Sequence, residues 1–172
     1  MSVLNQAAFK THVAEMKWTL VECLVLIVLC ALNSVPVMRA RKRLFTSELL
    51  SQFSAAAEKE TGKQPDKNGY PDMGDGRYGK ALTLPDWITM TKTQRTHLNF
   101  VEQLPMLIFG LIGAALFDPF TAQYLGLAFI ILRVAFIALY IFNPNLRGLA
   151  SAPAMIITCY MVFIIVRGLL SV

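Results

Sequence analysis

The stretch "QRTHLNFVEQLPMLIFGLIGAALFDPF", residues 94–120, decides the fold class, because a polar helical segment runs into an apolar one that ends at a breaker. Residues 106–117 carry no polar side chain, and a second apolar run, residues 120–142, begins directly after Asp118 and Pro119. Two apolar segments of this length, joined by so short a turn, predict a hairpin of membrane-spanning helices.

The whole composition agrees with membrane residence. Of the 172 residues, 55% are hydrophobic and 16% are charged, and the mean hydropathy is +0.52. Further apolar segments lie near both ends of the chain, and each approaches the ~20 residues that cross a bilayer core. We therefore predict an all-α, integral-membrane four-helix bundle in a single domain, residues 1–172. Its helices are expected at about residues 18–38, 87–117, 120–142 and 149–168, with a loop at about residues 40–86.

The basic residues indicate the topology. Eleven of the 16 Lys and Arg residues lie between Arg39 and Arg95, and the net charge is +5. The positive-inside rule then predicts that the first loop is cytoplasmic and that both termini lie on the outer side. Aromatic residues do not interleave with the basic cluster, so we expect no nucleic-acid partner. The three cysteines lack metal-ligand spacing, and we expect no metal site.

Three polar residues of the opening stretch share one helical face. Arg95, Asn99 and Glu102 stand at i, i+4 and i+7, within about 60° of each other on a helix, whereas His97 points elsewhere. We call Arg95, Asn99 and Glu102 the polar stripe. A carboxylate at membrane depth costs at least ~2–3 kcal/mol, so the stripe is expected to face a bundle interior or a wet cavity. Interfacial snorkelling with one structural ion pair is the alternative.

The third helix carries a matching set. Arg133 and Tyr140 are seven residues apart, and Arg147 follows seven later. Arg133 would lie ~10 Å deeper than Tyr140, where a guanidinium needs a carboxylate, and Glu102 is the candidate. In the cluster "RARKR", which mainly signals topology, Arg39 is the member most suited to point into the same site.

These motifs together resemble the MAPEG family, the membrane-associated proteins in eicosanoid and glutathione metabolism. "RTHLNFVEQLP" is similar to the second-helix signature of the family, and "ILRVAFIALY", "NLRG" and "MRARKRLF" match other parts of its pattern. "GDGRYGKAL", followed by "QRTHLNFVE", is similar to bacterial members. The resemblance covers essentially the whole chain. It implies a homotrimer among membrane lipids, in the bacterial inner membrane, with glutathione as cosubstrate between neighbouring protomers near the cytoplasmic face.

The resemblance also implies roles for individual residues. Glu102 would engage the α-amino group of glutathione, and arginine side chains its carboxylates. Tyr140 and Arg147 would be the catalytic pair that stabilises the thiolate. A hydrophobic small-molecule electrophile or a lipid hydroperoxide would enter from the lipid. The glutathione-binding residues carried over are Arg39, Arg95, Asn99, Glu102, Arg133 and Tyr140.

Among the departures from the family pattern, those at positions 103 and 136 bear on activity. Gln103 stands where a Tyr is common, and Phe136 stands where some members have His or Tyr. They leave open a non-catalytic member that binds lipid or serves as an accessory membrane subunit, and the long loop at residues 46–86 could contact a partner protein. A small transporter is disfavoured, because neither broken helices nor inverted repeats are evident.

Overall fold

The computed structural model describes residues 3–171, with side chains from Phe9 onward, and no strand occurs among them. The chain begins with two helices in succession, α1 and α2, and continues through short helices to three long ones. The α-helices are α1 (Val3–Leu32), α2 (Ser34–Leu44), α3 (Ser47–Ser51), α4 (Ser54–Thr61), α5 (Leu84–Phe117), α6 (Pro119–Phe142) and α7 (Gly148–Leu170). Two 3-10 turns lie at Gly79–Ala81 and Pro144–Arg147.

Four helical segments of the described chain are long and apolar enough to cross a bilayer. They are Phe9–Leu44, Leu84–Phe117, Pro119–Phe142 and Pro144–Leu170. This confirms the predicted all-α fold with four membrane-spanning segments. The first and second segments extend beyond the predicted membrane portions, and α2 to α4 lie in or overlap the region expected as a loop. Short helices form there because Thr46 caps α3 by accepting from the amide of Leu49, and Gly62, at φ +69°, ends α4.

Short polar breakers end the later helices. Asp118 accepts a hydrogen bond from the amide of Thr121 at 3.0 Å, and Pro119 occupies the first turn of α6. The side-chain hydroxyl of Thr121, and after it the Thr121 amide, lower the pKa of the Asp118 carboxyl by hydrogen bonding to it. At the other end of α6, Asn143 is extended and accepts from the amide of Asn145. The two apolar runs of the opening sequence are thus separated by a single non-helical residue.

The chain divides into two compact units, Met1–Cys30 with Phe100–Val172, and Ala31–Asn99. The core of the first unit is built from apolar and small side chains. Gly110 is one example, because a Cβ added there would lie 3.3 Å from Cε of Met161. Small residues let membrane helices approach closely, where dispersion contacts drive association. Fully buried side chains in this core include Leu26, Phe100, Leu111, Ala114, Ala115, Ala122 and Met161.

The second unit contains a packed loop rather than an open one. The carboxylate of Asp72 accepts hydrogen bonds from the amides of Gly74, Gly76 and Gly79, at 2.7, 3.0 and 2.8 Å. Burial raises the pKa of Asp72, but these amide donors outweigh it and hold the pKa below its usual range. The indole of Trp87 donates to the carbonyl of Gly74 at 2.7 Å, which ties this turn to α5. We call residues 66–82 the Asp72 loop.

A buried arginine holds the same loop to α2. The guanidinium of Arg41 donates to the carbonyl of Asp72 at 2.6 Å and lies 3.9 Å from the ring centroid of Tyr70. Phe45, which directly follows α2 and is 1% exposed, places its ring centroid 5.3 Å from the Arg41 guanidinium. Gly69 is required beside it, because its φ is +67° and a Cβ would lie 2.7 Å from the Phe45 ring. The cytoplasmic segment predicted from sequence is therefore a small ordered core.

Candidate functional site

The polar stripe lies along one helix, α5. Arg95 and Glu102 are exposed and Asn99 is half-buried, and all three lie on α5. Helical periodicity alone places them together, as the sequence predicted. An exposed carboxylate on a helix that spans a membrane is unfavourable against lipid. Contact of the stripe with lipid is therefore unfavourable, and contact with polar groups or water is favoured.

Arg133 lies on the inner side of α6 and is only 4% exposed. Its Nη2 donates to the amide oxygen of Gln103 on α5. The guanidinium also lies against aromatic faces, 4.4 Å from the ring centroid of Phe100 and 5.2 Å from that of Phe136. Such contacts partly offset the loss of hydration of a buried guanidinium. The expected pairing of Arg133 with Glu102 stays a prediction.

Tyr140 shares the buried face of α6 with Arg133. It is 8% exposed, and its ring stacks on Phe136 with centroids 5.6 Å apart and planes at 29°. Phe136, Tyr140 and Ala150 form a small apolar cluster of their own. The Tyr140 ring is thus fixed by packing, which suits a hydroxyl that has to be presented in one place.

The two remaining candidate arginines are exposed in the single chain. Arg147 ends the 3-10 turn Pro144–Arg147, directly before α7. Arg39 points outward from α2, whereas Arg41, two residues later, is 2% exposed and holds the Asp72 loop. Residues two apart on a helix lie about 160° apart around its axis, which explains the opposite environments.

Two residues make contacts that the sequence does not predict. Gln103 departs from the family pattern, yet it is the hydrogen-bond partner of Arg133. Arg41 belongs to the topology-setting basic cluster, yet it is buried. The spacing of Phe100 and Gln103, three residues apart, indicates that they share one helix face. In the structure both contact Arg133. Among residues 3–171, no group of His, Cys, Asp and Glu side chains is arranged to hold a metal ion.

Comparison with known protein families identifies a match to this chain. The model of the MAPEG family matches residues 19–167, which is most of the chain. No curated protein matches the chain. The family match covers α5 and α6 entirely and most of the first and last membrane segments. It includes both polar sets, the stripe on α5 and the Arg133–Tyr140 face of α6. The chain therefore belongs to the MAPEG family.

Proposed function

We propose that this protein is an integral-membrane glutathione transferase or peroxidase that acts on hydrophobic electrophiles or lipid hydroperoxides. The observation that carries the proposal is the exposed polar stripe on a membrane-spanning helix. A cation, an amide and a carboxylate in one row match a small zwitterionic thiol, and membership of a family that includes glutathione transferases supports the same ligand. Forked guanidinium groups suit its two carboxylates, and Glu102 suits its ammonium.

The proposed assembly is a homotrimer with the thiol between protomers. The outward direction of Arg95 and Glu102 supports it, because a neighbouring copy would cover groups that lipid cannot solvate. Arg39 would contribute from α2. The mass of the solubilised protein tests this directly, with three copies expected. The proposed location is the bacterial inner membrane, with the first loop cytoplasmic and both termini outside.

The chemistry assigned to the site is activation of a thiol. Arg147 and Tyr140 would stabilise the thiolate, which raises its fraction near neutral pH. The sulfur then attacks an electrophilic carbon, an S–C bond forms, and the leaving group departs with its electron pair. With a lipid hydroperoxide, the sulfur attacks the outer oxygen, the O–O bond breaks, and the lipid alkoxide leaves and is protonated to the alcohol. A second glutathione then converts the sulfenic product to a disulfide and water. Positive groups near the sulfur and leaving group stabilise the developing charge.

The test uses the purified, full-length protein in lipid nanodiscs. Wild type is expected to bind glutathione in calorimetry and to conjugate a generic aryl halide or reduce a lipid hydroperoxide. Arg147→Ala is expected to lose roughly 100-fold or more in kcat while glutathione binding is largely kept, because its role is in the transition state. Arg167→Ala, at an exposed arginine in the last turn of α7, is the matched control. Full activity of Arg147→Ala would remove the role of Arg147.

A second candidate function is a non-catalytic lipid-binding or accessory subunit. Phe136 favours it, because this buried position, where some members have His or Tyr, offers only an apolar ring stacked on Tyr140. The partner protein would contact residues 46–86. Calorimetry separates the two functions: no heat of binding at millimolar glutathione favours the accessory subunit.

A further inference from the structure

Gln103 occupies the position between the polar stripe and the buried face of α5. It directly follows the exposed Glu102, but it stands three residues after Phe100 and so lies on the face that meets α6. Its amide oxygen accepts from Nη2 of Arg133. Phe100 is fully buried and lies under the same guanidinium at 4.4 Å. One helix face thus supplies both a hydrogen-bond acceptor and an aromatic surface to Arg133.

The type of residue at position 103 has a chemical consequence. An arginine side chain has many rotamers, and a hydrogen bond to Nη2 together with a ring face selects among them. An amide accepts this bond as a carboxylate would, but it carries no charge. Gln103 therefore orients the guanidinium of Arg133 without neutralising it.

We propose that Gln103 is a positioning residue, which holds the guanidinium of Arg133 in the orientation in which it binds a carboxylate of the thiol. The inference rests on the proposed function for the role of Arg133 and on the Gln103–Arg133 hydrogen bond for the orientation. It assigns a role to a departure from the family pattern: where a tyrosine is common, this chain has an amide that accepts from the arginine. Gln103 acts through Arg133 and takes no part in the chemical step.

Two substitutions separate orientation from charge. Gln103→Met keeps the length and unbranched shape of the side chain but removes the acceptor. Gln103→Glu keeps an acceptor at the same place and adds a negative charge that pairs with Arg133. Gln123→Met, a half-buried glutamine on α6, is the matched control for the first change.

The first measurement is independent of glutathione. Arginine side-chain NMR in nanodiscs reports rotation of the Nη groups, and the Arg133 signals are identified by their loss in Arg133→Lys. Slow Nη2 rotation is expected in wild type, Gln103→Glu and Gln123→Met, with faster, averaged signals in Gln103→Met. Unchanged Arg133 signals in Gln103→Met would overturn the positioning role, whether or not the protein binds glutathione. If Gln103→Met does not fold, Gln103→Glu decides the same contact: a shift of the Arg133 Nη2 resonance with the added charge is expected, and an unchanged resonance would overturn the positioning role.

The second measurement connects orientation to function. Gln103→Met is expected to raise the KM and Kd for glutathione about tenfold with kcat within about twofold, because orientation contributes to binding. Gln103→Glu is expected to raise them at least as much despite a fixed guanidinium, because its charge is now offset. An unchanged KM in Gln103→Met, or the same rise in KM in the Gln123→Met control, would overturn this role. Absence of glutathione binding in wild type would refute the proposed function, while the NMR result would still decide whether Gln103 orients Arg133.

Discussion

Replacing Asp72 by Asn should open the Asp72 loop without disturbing the membrane helices. The carboxylate accepts from three amides, two at Oδ1 and one at Oδ2, while the residue itself is 7% exposed. Asparagine keeps one acceptor oxygen, but its NH2 group meets the third amide donor, and the charge assistance is lost at all three bonds. Hydrogen bonds to charged groups contribute ~1.5–3 kcal/mol each, and a buried unsatisfied donor costs ~1–3 kcal/mol. Because two of the bonds survive in weakened form, we expect a loss of about 2–4 kcal/mol in the free energy of local opening.

Amide hydrogen exchange measures this opening directly. A loss of about 2–4 kcal/mol corresponds to a fall in protection of the Gly74, Gly76 and Gly79 amides by roughly 30- to 1000-fold at neutral pH. Fluorescence of Trp87 in a Trp18→Phe background gives an independent signal, since its indole donates to the Gly74 carbonyl. Asp75→Asn is the matched control, because it removes the same charge from the same loop at an exposed residue.

The pH dependence has a definite sign. The folded-state pKa of Asp72 is depressed, so its contribution to stability is fully present above the ordinary carboxyl pKa of ~4 and is lost as pH falls through the folded-state value. The difference between wild type and Asp72→Asn should therefore be constant near neutral pH and shrink only below about pH 4. Protection unchanged in Asp72→Asn, or lowered equally in Asp75→Asn, would refute the argument.

Two further predictions concern the membrane helices and the topology. Gly168→Ala in α7 should lower the thermal stability by the equivalent of ~1–3 kcal/mol, because a Cβ there overlaps the Phe117 ring. Gly148→Ala on the same helix should not lower it, because a Cβ at that position meets open space. Equal melting temperatures for both variants would contradict the close packing of α5 and α7. A Ser54→Cys variant, in a background lacking the native cysteines, should react with a membrane-impermeant maleimide only from the cytoplasmic side of oriented vesicles, and labelling from the outer side would reverse the proposed topology.

Local sequence patterns are sufficient to predict the membrane helices, their ends and the polar stripe. The four apolar runs and the breakers Asp118–Pro119 and Asn143–Pro144 are read directly from neighbouring residues, because helix length and helix ends depend on local composition. The spacing of Arg95, Asn99 and Glu102 likewise placed them on one face through helical periodicity alone. The family resemblance rested on the same spacings, and the family match confirms it.

Long-range packing decided what those patterns left open. Arg39 and Arg41 have the same side chain two residues apart, and only the neighbours brought by the Asp72 loop make Arg41 the buried one. The sequence predicts only a loop there, because no local pattern indicates that one carboxylate will accept hydrogen bonds from three amides.

The neighbouring pair Glu102 and Gln103 shows the same division. The sequence alone establishes that a membrane helix carries both polar groups, since composition and periodicity are local properties. Only the tertiary structure shows that Glu102 points away from the single chain while Gln103 binds Arg133 across two helices. Burial and partner choice depend on which helix packs against which face, and that is set by contacts between residues far apart in the chain.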